Sequence, residues 1–348
     1  MNEWKEYELG DICSRLSSGK GIRAAMISDS AEYAVYGGNG IRGYTSDYNF
    51  EGDCAIIGRQ GAYCGNVRYF KGKAYMTEHA VIACANDEHN TRYLSYVLSA
   101  MSLGRLSGQS AQPGISVKTL SIQKIKMPPL AVQEKIVAVI SALEDKIELN
   151  TTINENLEQQ AQAIYRSMFV TLHHDSDRMG LLSELITVKY GKDHKKLNDG
   201  IYPVYGSGGI MRYVERPLYD KESVLIPRKG SLNNVMYVNE PFWSVDTMFY
   251  TEMKQPNVAK FVFHFIKSKD LASLNAGSAV PSMTTDILNS MELRIPSADR
   301  LAEFEGLVAP LYRALEDNTR QSARLAALRD TLLPKLMNGE IDVSAVKI

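Results

Sequence analysis

Residues 136–168 read IVAVISALEDKIELNTTINENLEQQAQAIYRSM, and their spacing decides the fold. Ile136, Ile140, Leu143, Ile147, Asn150, Asn154, Leu157, Ala161, Ile164 and Met168 fall on alternating steps of four and three. That is the heptad seam of a long helix packed against another helix. Pro128-Pro129 just upstream favours extended chain leading into the helix. A rod of about 35 residues at 1.5 Å each is on the order of 50 Å long. The partner is in the same chain. Phe304, Val308, Leu311, Leu315, Asn318, Ser322, Leu325, Arg329, Leu332 and Leu336 repeat the seam, with Arg329 as the one departure and Pro296-Ser297 ahead of it. Polar residues sit mid-seam in both copies, where they cost stability and fix register. If the helices run antiparallel about a pseudo-two-fold axis, Asn154 faces Asn318 and Asn150 faces Ser322.

The repeat is not confined to the helices. VYGGNGI at 35–41 returns as VYGSGGI at 204–210, and Ile57-Gly58-Arg59-Gln60-Gly61 returns as Ile226-Pro227-Arg228-Lys229-Gly230, each shifted by 169. SAQP at 110–113 answers SAVP at 278–281, and IKMP at 125–128 answers LRIP at 293–296, each shifted by 168. Self-similarity at the length of a domain means an internal duplication. Strand-like AVIAC (80–84) and SVLIP (223–227) alternate with amphipathic YLSYVLSAM (93–101) and AKFVFHFIKS (259–268), so each globular part reads as α+β. The expected organisation is two similar globular domains, 1–127 and 180–295, with a long helix after each. Those helices are 128–172 and 296–338, forming an antiparallel coiled coil; a linker lies at 173–179 and a tail at 339–348.

Composition narrows the function classes. The 348 residues carry a net charge of −1, but 1–126 and 180–294 each hold 14 Lys and Arg against 12 Asp and Glu, while 127–179 holds 4 against 8. Two mildly basic globular parts thus alternate with acidic helical segments, a modest electrostatic footprint for a nucleic-acid binder. Tight DNA binding would then draw much of its phosphate contact from other subunits. Four cysteines, all in the first copy and without a close CxxC pair, argue against a zinc site or a disulfide framework and fit a reducing cytoplasm. No apolar run approaches membrane-spanning length, and MNEWKEYELGD is too polar for a signal peptide. A phosphate loop, an HExxH, a G-x-S-x-G elbow and an Asn-Pro-Pro-Tyr motif are all missing from the sequence. The pair His173-His174 reads as linker, and His79 as a loop histidine.

The polar residues best placed to read a ligand lie in the repeated glycine loops. Arg59 and Arg228 put a forked donor beside a glycine, either to grip guanine or phosphate or merely to brace a common turn. Residues that read different targets should differ between copies, which favours Gln60 against Lys229 and Asn39 against Gly208. Arg42 and Tyr44 correspond to Met211 and Tyr213, with Arg212 one place along. Tyr63, Asn66, Ser207, Asn233 and Asn234 complete the candidate DNA-binding set. No catalytic or metal-binding residue is expected.

These features coincide in one family. MPPLAVQEKIVAVISALEDKIELN (127–150) resembles the central conserved region of type I restriction-modification specificity subunits. LRDTLLPKLMNGEIDV (328–343) is similar to their distal conserved region, and WKEYELGDIC (4–13) to the start of a target recognition domain. The resemblance covers essentially the whole chain. It implies two target recognition domains joined by an antiparallel helical pair, each reading one half of a split site in double-stranded DNA, with helix length setting the gap. It also implies a non-catalytic subunit that binds no cofactor itself. Two methyltransferase subunits would dock along the helices and endonuclease/translocase subunits would join them, using S-adenosylmethionine, ATP and Mg. The chain is short for the family, with little before Trp4, which leaves open a specificity subunit for a fused nuclease-methyltransferase. From other classes, a protein-binding scaffold without base readout and an enzyme with an unrecognised site remain as alternatives.

Overall fold

The computed structural model describes residues 4–107, 114–171, 177–274, 282–343 and 345–346. SAQP, SAVP and His173-His174 therefore lie outside the described residues. Two compact units emerge, one of Met1–Leu149 with Arg320–Ile348, the other of Asn150–Thr319. Each contains one globular domain and a stretch of both long helices.

In the first unit β1 (Lys5–Glu8), β2 (Cys13–Ser18), β3 (Tyr33–Gly37), β4 (Gly40–Thr45), β5 (Phe50–Gly58), β6 (Val67–Met76) and β7 (Ala80–Ala85) precede α1 (Thr91–Ala100), α2 (Val117–Ser121) and β8 (Lys124–Met127). Six strands form a sheet in the order β2-β7-β5-β6-β3-β4, and β1 pairs with β8. The central strands are buried on both faces, and alternation divides their side chains. Ala55, Ile57, Val81 and Ala83 pack toward α1 and the long helix α3 (Leu130–Tyr165). Cys54, Ile56 and Ile82 join Phe50 and Met76 on the other side. Asn90 caps α1, its side chain accepting from the Tyr93 N–H at 3.0 Å, the position where Asn satisfies an orphan helix donor. The buried Gln133 of α3 accepts from the Asn90 N–H at 2.9 Å and donates to the Pro128 carbonyl at 2.8 Å, fixing the start of α3 beside α1.

The second unit repeats this plan with β9 (Arg178–Leu181), β10 (Ile186–Tyr190), β11 (Asp199–Gly206), β12 (Gly209–Val214), β13 (Ser223–Pro227), β14 (Met236–Val238), β15 (Trp243–Ser244), β16 (Met248–Met253), α4 (Ala259–Lys267), α5 (Thr285–Asn289), β17 (Glu292–Ile295) and α6 (Ala298–Met337). Its sheet is broken into β10-β16-β13-β14 and β12-β11-β15. Pro241 stands at the break, where the first copy has Lys73 within β6, and pairing resumes one residue on, Tyr219 bridging to Phe242. Strand β9 begins at Arg178, inside the span read as linker 173–179. The four residues RMGL are too few to show a period of two, and they become a strand only by pairing with β17.

The helices pair antiparallel within each unit. Ile136 and Ile140 share a core with Leu332, Leu333 and Leu336 in the first. In the second, the Asn318 amide donates to Asn154 Oδ1 at 2.9 Å, and Asn150 Nδ2 donates to the Asn318 carbonyl at 3.3 Å. Of the expected 128–172, α3 takes Leu130–Tyr165 in regular turns, and Arg166–Thr171 continue in wider π turns. α6 runs through Pro310 and Pro334, each of which costs one backbone donor. Gly339, at φ +78, ends it in the left-handed conformation that suits glycine. The tail beyond is part of the core, with Val343 buried beside Ile341 and Val346.

A polar clasp, present in both copies, ties each globular domain to the long helix that follows it. Arg92 of α1 donates to Glu144 at 2.9 Å and Asp145 at 3.3 Å, its guanidinium lying over Tyr69, while the Tyr96 hydroxyl donates to Glu144 at 2.7 Å. Adding 168 gives Lys260, Tyr237, His264 and Tyr312. Lys260 bonds Glu222 at 2.9 Å and Glu305 at 2.7 Å over the rings of Tyr237 and Tyr312. His264 holds Gln162 at 2.7 Å and the Tyr312 hydroxyl at 3.0 Å. Burial depresses the His264 pKa to about 3. The imidazole is therefore neutral, its Nδ1–H donating to Gln162 Oε1 and its Nε2 accepting from Tyr312.

Candidate nucleic-acid interface

The glycine motifs close two matching hairpins. Gly37 pairs with Gly40 across Gly38-Asn39, and Gly206 pairs with Gly209 across Ser207-Gly208. Gly40 and Gly209 adopt φ of +107 and +109, which L side chains rarely accept. Next to each hairpin comes the arginine-glycine loop. The Arg59 carbonyl accepts from Ile115 N–H and the Arg228 carbonyl from Met283 N–H, both at 2.9 Å. Gln60 bridges to Gly114 and Lys229 to Ser282. In the second unit Asn234 Nδ2 donates to the Ser207 carbonyl at 2.7 Å, stapling loop to hairpin. In the first, Arg68 Nη2 donates to the Asn39 carbonyl at 3.3 Å. Each unit therefore gathers its hairpin and its loop into one head.

Within the heads the candidate residues divide by what they touch. Arg59 and Arg228 are half-buried and turned onto their own domains. Arg59 donates to Ser18 Oγ at 3.4 Å, whereas Arg228 donates to the Asp246 carbonyl at 3.2 Å and lies over the Tyr190 ring. Asn233 is likewise engaged, its amide donating to Asp270 at 2.9 Å; that bond holds the Asp270 carboxyl below its ordinary pKa. Arg212 donates to Asp199 at 2.7 Å and to the Leu197 carbonyl at 3.0 Å, bracing the hairpin stem. Asn39, Arg42, Gln60, Tyr63, Asn66 and Lys229 present exposed side chains.

The equivalence of Arg42 and Met211, expected from spacing, has a geometric basis in matching β-bulges. Val35 pairs with Gly43 and Tyr36 with Ile41, so Arg42 is the extra residue of a β-bulge. Val204 pairs with Arg212 and Tyr205 with Ile210, so Met211 is the extra residue of the matching bulge. Arg212 thus answers Gly43, and Met211 answers Arg42. A Cβ on Gly37 would lie 2.6 Å from Arg42 Cδ, and one on Gly206 would lie 2.6 Å from Met211 Sδ. The glycine opposite each bulge clears room for that side chain. Sequence reasoning also passed over Arg68, which approaches Gly40 and whose counterpart is Met236; it lay outside the glycine motifs and gave no signal.

Exposed lysines flank the second head. Lys192, Lys195 and Lys196 follow β10 in a loop held by the Lys192 N–H to the Ser244 carbonyl at 2.8 Å and by an Asp193 turn accepting the Lys195 N–H at 3.0 Å. That bond lowers the Asp193 pKa. Among the described residues no helix is long and apolar enough to cross a membrane, and no three His, Cys, Asp or Glu side chains gather as a metal-ligand group.

Comparison with known proteins accounts for this architecture. The model of the type I restriction modification DNA specificity domain matches residues 1–159 and again residues 180–300. The chain belongs to this family. It is 39% identical over 142 residues to the type I restriction enzyme EcoprrI specificity subunit of Escherichia coli, a match covering 40% of this chain and 35% of that one. A putative type I specificity subunit of Mycoplasma pneumoniae is 23% identical over 330 residues, 88% of this chain and 89% of its own. The fold matches the crystal structure of a type I restriction-modification S subunit from M. genitalium, with a TM-score of 0.69, 19% identity and 96% of each chain covered. The first match takes in the first head and most of α3, and the second takes in the second head and stops at the start of α6.

Proposed function

We propose that this chain is the DNA-reading subunit of a type I restriction-modification complex and that each head reads one half of a split, asymmetric site in duplex DNA. The observation that carries this reading is the pair of heads, equal in backbone and different in exposed side chains. Equal backbones present loops to a groove in the same manner, and unequal side chains make the two words differ. The coiled coil joins the two readers and offers its flanks to two methyltransferase subunits, with endonuclease/translocase subunits completing the complex in the cytoplasm. This chain supplies no catalytic group; S-adenosylmethionine, ATP and Mg belong to the partners.

The test is a map of methylated adenines made by this chain with the methyltransferase subunits of its own system. The expected motif is split and asymmetric, with roughly one helical turn, about 10 base pairs, between the two methylated adenines. Inserting four residues within 145–160 should lengthen the gap and leave both half-sites unchanged. A single continuous motif refutes the two-reader assignment, and methylation or cleavage by the purified chain alone refutes the non-catalytic one.

A further inference from the structure

Taking the DNA-reading function as given, we infer that the bulge residue of each hairpin makes the two half-sites chemically different. Arg42 grips the major-groove edge of a guanine, and Met211 packs on the methyl group of a thymine. A β-bulge re-aims one side chain out of the alternation of a strand, and here both hairpins bulge at the same residue. The opposing glycine keeps the path clear in both copies. Met211 is 61% exposed beside the exposed Ile210 and Tyr213 of the same strand, with Ile201 exposed on β11, and an apolar group of this kind on a surface marks a place for a partner. Among the described residues the Arg42 guanidinium has no hydrogen-bond or ion-pair partner, whereas Arg59, Arg212 and Arg228 are all engaged within their own domains.

The occupant is set by what surrounds the two positions. Lys192, Lys195, Lys196 and Lys229 flank the exposed apolar hairpin, so the covering partner is anionic as well as apolar in part. Duplex DNA answers that description, with phosphates on the rim and thymine methyls in the major groove, and a two-stranded ribbon fits that groove. Arginine takes guanine through O6 and N7 together, and apolar side chains take the thymine methyl. The neighbouring exchange of Arg68 for Met236 moves the second head in the same apolar direction.

The test uses the complex of this chain with its methyltransferase subunits and synthetic duplexes carrying its methylated motif. Guanines are replaced one at a time by 7-deazaguanine, which lacks N7, and thymines by deoxyuridine, which lacks the methyl. For the wild-type complex, one 7-deazaguanine in one half-site should weaken binding about fivefold or more, and one deoxyuridine in the other half-site about fourfold. Arg42→Met should erase the first response and lower preference for that guanine roughly 5- to 150-fold. Met211→Ala should erase only the second. Both residues are exposed, so unchanged melting of the variants separates lost reading from lost folding, and the analogue series on the wild type needs no variant. A complex without sequence preference overturns the DNA-reading function itself. Preserved preference with no analogue response, a first half-site lacking guanine, or variants that respond like wild type overturn the assignment of Arg42 and Met211.

Discussion

Lys260 offers the sharpest test of how the second globular domain is held to its helix. Its side chain is 7% exposed, with the ammonium 2.9 Å from Glu222 and 2.7 Å from Glu305. Lys260→Met keeps the aliphatic stem and removes the charge, leaving two carboxylates side by side. Breaking a buried pair from one side costs about 3–5 kcal/mol. Glu222 and Glu305 remain 31% and 23% exposed, so water recovers part of that cost. We expect about 2–3 kcal/mol, a fall of roughly 5–10 °C in the melting of a unit this size. Differential scanning calorimetry on the purified chain reads it directly. Neutralising one orphaned acid in Lys260→Met/Glu305→Gln should recover about half of the loss. In the first unit the partners of Arg92 are more open, 28% for Glu144 and 64% for Asp145, so Arg92→Met should cost less, about 1–2 kcal/mol. A Lys260→Met shift below about 1 °C, or a larger loss for Arg92→Met, refutes burial as what gives the clasp its strength.

Three further outcomes follow from the same geometry. His264 is held neutral with its pKa lowered to about 3, while an unfolded histidine titrates near 6.5, so the unfolded state takes up more protons between those values. The stability this neutral imidazole contributes is present above about pH 6.5 and is lost as pH falls toward 3, at up to about 1.4 kcal/mol per pH unit; urea unfolding from pH 7 to 4 should show a shallower slope for His264→Gln, and equal slopes exclude the assignment. Asn318→Leu alone removes the donor to Asn154 and should cost about 1–3 kcal/mol, whereas Asn154→Leu/Asn318→Leu should match or exceed wild-type melting; equal losses for single and double variants would rule out that hydrogen bond as the reason. Lys195→Gln/Lys196→Gln should lower the slope of log affinity against log salt by about 2 without altering the methylated motif, and an unchanged slope would place those lysines off the DNA.

The helices were legible because a seam of alternating four and three residues is a long-range signal that no short loop imitates. Register about Asn154 and Asn318 followed from the same numbers. The sheets were less legible. β9 is four residues long, and the break between β14 and β15 shows only when the strand is read against its counterpart in the other copy. The heads were located by their glycines, but their side chains were sorted by charge, which put Arg212 in place of Met211. The shift of 169 already paired Arg42 with Met211, and the matching bulges show why that pairing holds in space. The clasp was missed for another reason: Arg92 and Lys260 occupy amphipathic helices, where a basic residue reads as solvated surface, and Glu144 and Glu305 are remote in sequence. A shift of 168 carries Arg92 onto Lys260 but Glu144 onto Tyr312 and Glu305 onto Val137, so the repeat reveals the basic position and hides its partners.

The two copies also distinguish internal from external constraint. In the clasp, Tyr96 and Glu144 become His264 and Tyr312: both partners change, yet the bond persists, at 2.7 Å in one copy and 3.0 Å in the other. Asp53 beside Tyr69 becomes Glu222 beside Tyr237, where the phenol is kept and the acid only lengthened. The first, paired exchange is expected where the partner is in the same chain, because one change alone strands a buried polar group. At the bulge the exchange is unpaired. Arg42 becomes Met211 while Gly37 and Gly206 stay glycine, and among the described residues no acid within the first unit holds Arg42. A cation replaced by an apolar side chain, with nothing in the fold compensating, is free of internal demands. That freedom is what the proposed reading of two different half-sites requires of the position.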